Sequence, residues 1–193
     1  MNNLSPDFAD LSPGFASALE AQACFRALLS AFSTPGAIVA LPVHLTPPPG
    51  LSMACAALLL TLADAHTKVA LPETCTARCW LTFHTGAPAS DEAQADFCVA
   101  TTPPALAALR QGTDAEPEES ATLILDVERL EGPLFRLFGP GLKDPVIVGL
   151  PLDKAIISEW HAQTRNAPRG VDIILCAQDR ILALPRSLHI EEG

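Results

Sequence analysis

The groups best able to do chemistry in this chain are its arginines, nine against three lysines. A guanidinium is a planar fork that meets phosphate, phosphonate or carboxylate oxygens two at a time, whereas an ammonium acts as a point charge. Three arginines sit at the edges of apolar elements, where a fork is held in place. Arg26 lies between Phe25 and Ala27, Arg136 precedes the turn Gly139-Pro140-Gly141, and Arg186 follows the last apolar run beside Ser187. Gly139 and Gly141 would let backbone N–H groups approach an anion. His84 and Thr85 add a titratable ring and a hydroxyl, and Asp172 can orient an arginine. The candidate anion-binding set is therefore Arg26, His84, Thr85, Arg136, Gly139, Gly141, Asp172, Arg186 and Ser187, with no catalytic residue assigned. The bland alternative is that each arginine pairs with one of the 22 carboxylates, that His84 is a satisfied core residue and that the glycines only shape turns. On sequence alone that alternative is the stronger one.

Other chemistries lack their residues. There is no GxGxxG, no phosphate loop, no GxSxG and no HExxH, so nucleotide-loop and common hydrolase sites are not expected. Cys75, Cys79 and His84 have metal-like spacing, but a strand over 79–85 would turn Cys79 and His84 to opposite faces, and no metal is expected. An imine-forming cofactor needs a buried lysine of lowered pKa. Lys68, Lys143 and Lys154 all read as surface residues, so no pyridoxal phosphate, and no cofactor at all, is expected.

The chain has 193 residues and a formal net charge of -10, with 49% hydrophobic and 18% charged residues. These values imply one domain, 1–193, with a sizeable core. The acidic balance and the lack of a basic run argue against nucleic-acid and membrane-surface binding. The longest apolar run, 53–63 (MACAALLLTLA), falls well short of the roughly 20 residues of a bilayer span. The N-terminal residues, with Asp7 and Asp10, do not resemble a secretory signal, so a cytoplasmic location is expected. Six cysteines scattered through apolar segments suit reduced thiols.

The elements that must position these groups alternate. A helix is expected over 12–33, capped by Ser12 and stopped by Thr34-Pro35-Gly36; then a strand over 37–41, and a helix over 52–63 after the stiff Pro47-Pro48-Pro49-Gly50 connector. Strands are expected over 67–71 and 79–85, around a short turn or helical piece over 73–78. A further strand is expected over 97–100 after a short helical stretch near 90–95, and a helix over 102–111. The stretch 112–120, with Asp114, Glu116, Glu118 and Glu119, reads as a solvated acidic loop. Strands follow over 121–127 and 134–138. Asp153 caps a helix ending near Thr164 or Arg165, and a hairpin pairs 171–177 with 181–184 before a terminal extension over 185–190. The whole predicts an α/β three-layer sandwich with a mixed sheet.

In order along the chain, several segments resemble the PhnH family, a component of the bacterial carbon-phosphorus lyase system. They are Phe25-Arg26-Ala27-Leu28-Leu29 with Ser33-Thr34-Pro35-Gly36, the LLLTLAD run at 58–64, and Phe83-His84-Thr85-Gly86-Ala87-Pro88. Gly112-Thr113-Asp114 with Pro117, the SATLIL run at 120–125 and Arg136-Leu137 with Gly139-Pro140-Gly141 come next. Gly170-Val171-Asp172 and Leu184-Pro185-Arg186 complete the series. The family's Pro-Arg is followed by two hydroxyl residues; here Ser187 and Leu188 follow, and one hydroxyl is missing.

The resemblance implies a fold similar to the pyridoxal-phosphate transferase domain but without that cofactor, and a homodimer. It also implies a core complex with PhnG, PhnI and PhnJ that joins a phosphonate to the ribose of ATP, releases adenine and gives ribose 1-phosphonate 5-triphosphate. The family is a non-catalytic or accessory subunit of that transferase complex, and the later radical cleavage belongs to another component. Two rival readings stand beside this one. In the first, a self-sufficient enzyme acts on a phosphorylated or phosphonylated small molecule, with Arg26, Arg136 and Arg186 as clamps and His84 as acid-base. In the second, the chain is a scaffold with no ligand.

Overall fold

The computed structural model describes residues 11–72, 75 and 77–193. The expectations for the first ten residues, and most of those for 73–78, lie outside the described residues. The chain forms α1 (Ala18–Ser33), β1 (Val39–Ala40), α2 (Met53–Leu62), β2 (Val69–Ala70), α3 (Arg78–Thr85), β3 (Phe97–Ala100), β4 (Thr122–Asp126), β5 (Leu134–Phe138), β6 (Val146–Gly149), α4 (Lys154–Thr164), β7 (Asp172–Ala177), β8 (Arg180–Leu184) and β9 (His189–Glu192).

Six strands make one mixed sheet in the order β1-β8-β7-β4-β3-β2. The strands β2, β3, β4 and β7 run parallel, and β8 and β1 are added antiparallel. Both faces are covered, which explains why β4 and β7 read as continuous apolar runs. Ile124, Ile174 and Cys176 face a core shared with Cys24 and Leu28 of α1, Leu58 of α2 and Trp80 of α3. Leu123, Leu125, Ile173 and Leu175 face the opposite core, with Trp160 of α4 and with Phe135, Leu137 and Ile190. Those last three belong to a second, antiparallel sheet in the order β6-β5-β9. The layers are thus helices α1 to α3, the large sheet, and α4 with the small sheet. Among the described residues, no helix is long and apolar enough to cross a membrane.

Local chemistry explains most boundaries. The Ser52 hydroxyl accepts the Cys55 N–H at 3.1 Å and starts α2, and Asp153 accepts the Ile156 N–H at 3.0 Å and starts α4 as expected. The β7–β8 hairpin turns through Gln178 at φ 54. Four expectations are corrected. Residues 79–85 belong to a helix, not a strand: Ala77, Trp80, Leu81 and His84 recur at helical spacing, the first three are buried, and Gly86 at φ 75 closes the helix. The first helix starts at Ala18, not after Ser12, because the Ser12 carbonyl is held by Trp80 and His84. The stretch 102–111 holds only a 3-10 turn, Leu106–Ala108, beyond Pro103-Pro104. The chain after Leu184 ends in a strand, β9, that together with β6 flanks β5 in the small sheet.

Candidate functional site

The arginine fork best held by the fold is Arg186. Its Nε and NH2 donate to Asp172, NH2 at 2.6 Å, its backbone N–H donates to Asp172 Oδ1 at 2.7 Å, and NH1 donates to the Pro117 carbonyl at 2.7 Å. The pair is about one-fifth exposed. It ties the start of β7, the end of β8 and the loop before β4 together. With those donors committed inside the chain, Arg186 acts as a bolt, and an anion would have to displace Asp172 to reach it.

Arg136 lies on the outer face of the small sheet. It pairs with Glu191 at 3.0 Å across β5 and β9, and its guanidinium stands 5.0 Å from the centre of the Phe138 ring. Phe138 in turn stacks on His189 at 5.0 Å. Gly139 belongs to this group: a Cβ there would lie 3.4 Å from both the His189 ring and the Ser187 carbonyl. Gly141 turns away from it, and a Cβ at 141 would lie 2.9 Å from Pro35, where the chain leaves α1.

The remaining predicted residues lie elsewhere. His84 Nε2 donates to the Ser12 carbonyl at 3.0 Å, the carbonyl that also accepts the Trp80 indole N–H at 2.8 Å, and the two rings meet edge to face. Gly14 allows this approach, since a Cβ there would fall 2.9 Å from His84 Nδ1. The Thr85 hydroxyl donates to Leu81 O within α3 and accepts the Ala87 N–H. Arg26 is exposed on the outer face of α1 and bonds Gln22 one turn away. The set therefore divides into an Asp172–Arg186 pair, an Arg136–Gly139–Ser187 neighbourhood, a His84–Thr85 strap and the isolated Arg26. No two of the three arginines share a hydrogen-bonding partner among the described residues.

A wide cavity of mixed lining, with Leu51 and Val127 among its walls, that the sequence reading did not single out opens beyond the carboxyl ends of β3 and β4. Its volume is about 630 Å³, and Ser52, Thr101, Thr102, Asp126 and Glu128 line it. Asp126 ends β4 on the face that carries Ile124 and takes the Ser52 N–H at 2.7 Å. Burial pushes its carboxyl pKa up, and bonds from the Ser52 hydroxyl and backbone N–H oppose that shift. Cys176 is paired with Asp126 in register. Cys176 and Cys55 are buried thiols whose pKa values burial drives far upward, with the Asp126 charge adding to the effect. A smaller cavity of about 290 Å³ across Glu128 is lined by Arg129, Gln178 and Arg180. The signal in the sequence was a carboxylate closing the otherwise apolar run ATLILD, the position where parallel sheets place ligands.

Among the described residues, no cluster of three or more His, Cys, Asp or Glu could hold a metal ion. All six cysteines are free. Lys68, Lys143 and Lys154 are solvent-exposed.

These features define a mixed-sheet α/β protein whose arginines mostly serve internal or surface ion pairs. Residues 13–191 match the family described as bacterial phosphonate metabolism protein (PhnH), and the chain belongs to that family. It is 36% identical over 184 residues to the PhnH subunit of alpha-D-ribose 1-methylphosphonate 5-triphosphate synthase from Rhizobium meliloti (strain 1021), covering 89% of this chain and 90% of the relative. It is 35% identical over 175 residues to HtxG of Stutzerimonas stutzeri, a proposed C–P lyase subunit, covering 88% and 85%.

Proposed function

We propose that this chain is a subunit of an alpha-D-ribose 1-methylphosphonate 5-triphosphate synthase in phosphonate breakdown, accessory to the catalytic component. The observation that carries this reading is the match, over nearly the whole of both chains, to a relative named as such a subunit. The chain acts as one domain in the cytoplasm, forms a homodimer and contacts PhnG, PhnI and PhnJ. Its fold is a variant of the pyridoxal-phosphate transferase domain that works without the cofactor.

Two features support an accessory role. His84 is bonded to the Ser12 carbonyl and Arg186 to Asp172, so the groups that a self-sufficient enzyme would need as acid-base and clamp are engaged in holding the fold. Large apolar side chains also stand in solvent on both outer layers: Leu19, Phe25, Leu29 and Phe83 on the helical side, Leu134 and Ile147 on the small sheet. Exposed apolar groups of this kind mark surfaces that other chains cover. The test is light scattering of the chain alone and mixed with PhnG, PhnI and PhnJ, then adenine release from ATP and methylphosphonate with and without it. A dimer that is inert alone, joins the others and is required for release is the expected result. A chain that binds none of them and turns over a phosphorylated compound alone overturns the proposal.

A further inference from the structure

The open cavity at the carboxyl ends of β3 and β4 has a mixed lining, with Leu51 and Val127 beside its polar groups, and is built from loops and turns that follow or precede rigid elements, the usual place for a ligand in a parallel α/β sheet. Thr101 and Thr102 follow β3, Asp126 ends β4 with Glu128 just beyond it, and Gly50 and Ser52 lead into α2. Asp126 is the fixed point of the wall. One carboxylate oxygen, Oδ2, accepts the Ser52 N–H at 2.7 Å, the Ser52 hydroxyl adds a second bond to the carboxylate, and the lone pairs that remain on its two oxygens can accept from an incoming group. The hydroxyls of Thr101 and Thr102 can each donate and accept.

Two carboxylates in one cavity disfavour a phosphate or phosphonate group there. The wall instead suits a neutral moiety carrying adjacent hydroxyls, each of which gives a proton to a carboxylate and takes one from a threonine. We propose that this cavity binds the vicinal diol of a ribose-type sugar, with Asp126 accepting from one hydroxyl and Thr101 and Thr102 bonding its neighbour. The proposal rests on the subunit reading above and deepens it: the phosphorus-bearing ends of the ligand lie outside this cavity, toward other parts of the assembly.

The test uses the full chain alone, with methyl β-D-ribofuranoside as probe and backbone amide shifts as readout. Saturable shifts are expected at Gly50, Ser52, Thr101, Thr102 and Asp126 to Glu128, and none with the 2,3-O-isopropylidene riboside, whose diol is blocked. Asp126→Asn keeps an oxygen for the Ser52 N–H but removes the charged acceptor, and weakens binding by about tenfold or more, as expected for loss of a charge-assisted hydrogen bond. Thr101→Val, which does not touch the Ser52 contact, weakens it independently. Absence of saturable shifts, equal shifts from the blocked riboside, or unchanged affinity in both variants overturns the proposal. The subunit reading is tested separately by assembly and adenine release, so a chain that assembles but does not bind the riboside removes this site and leaves that reading intact.

Discussion

Two arginines with the same expected role have different surroundings. Arg186 reaches Asp172 from side chain and backbone and adds the Pro117 carbonyl, and both partners are about four-fifths covered. Arg136 makes a single bond to Glu191, both partners are about half exposed, and its plane lies over Phe138. A guanidinium held by several short bonds in a half-dry setting becomes part of the framework, because removing it strands a carboxylate. One on an open sheet face contributes little to stability and stays available to whatever covers that face. Residue type is the same in both places; the number of bonds and the local water content separate them.

The largest effect that would sharpen this contrast is on the bolt. Arg186→Ala leaves Asp172 without its countercharge and frees the Pro117 loop, and is expected to cost about 2–3 kcal/mol of folding stability in urea denaturation. A loss below about 0.5 kcal/mol would place Arg186 in the same class as Arg136. Second, Leu134→Ser with Ile147→Ser removes the apolar groups that flank Arg136 on the small sheet. The pair should leave the melting temperature of the isolated chain nearly unchanged and weaken co-purification with the synthase components; full retention of assembly would assign partner contact to the helical side. Third, Arg136→Ala should change stability by less than about 0.5 kcal/mol. A larger loss would mean that the stack on Phe138 and His189 supports the sheet.

The smallest expected effect concerns Asp126. Its pKa in the folded chain is raised from 3.8 by burial, so the folded state holds this proton more tightly than the unfolded state does. For such a group stability falls as pH rises from about the unfolded value through the folded one. The cost is therefore fully present at neutral pH and absent in acid. Asp126→Asn removes it, so the variant should gain on the wild type between acid and neutral pH in paired denaturation curves. An opposite trend would mean that the Ser52 bond outweighs burial.

Much of the architecture was legible along the chain. Ser52 and Asp153 stand immediately before their apolar runs, and a cap acts through local geometry alone. The runs TLILD and DIILCA carry too few polar residues for a half-wet strand, so a sheet covered on both faces follows. The helix Arg78–Thr85 was misread because its aromatic and β-branched residues favour a strand, although Ala77, Trp80, Leu81 and His84 carried the helical period. The strands β6 and β9 were missed because neither carries a covered apolar run, and each gains its identity only by pairing with β5.

The candidate site was less legible, for a physical reason. Sequence determined which residues carry charge and which elements they border; it thereby determined an acidic, two-core α/β chain and the order of its family segments. Which arginine finds which carboxylate depends on strand order and register. Only the fold brought Asp172 to Arg186 across fourteen residues, Glu191 to Arg136 across fifty-five, and Asp126 to Ser52 across seventy-four. Electrostatic and hydrogen-bond energies decay over a few ångströms, so partners far apart in sequence are chosen by topology, and the role of each polar group is settled by that choice.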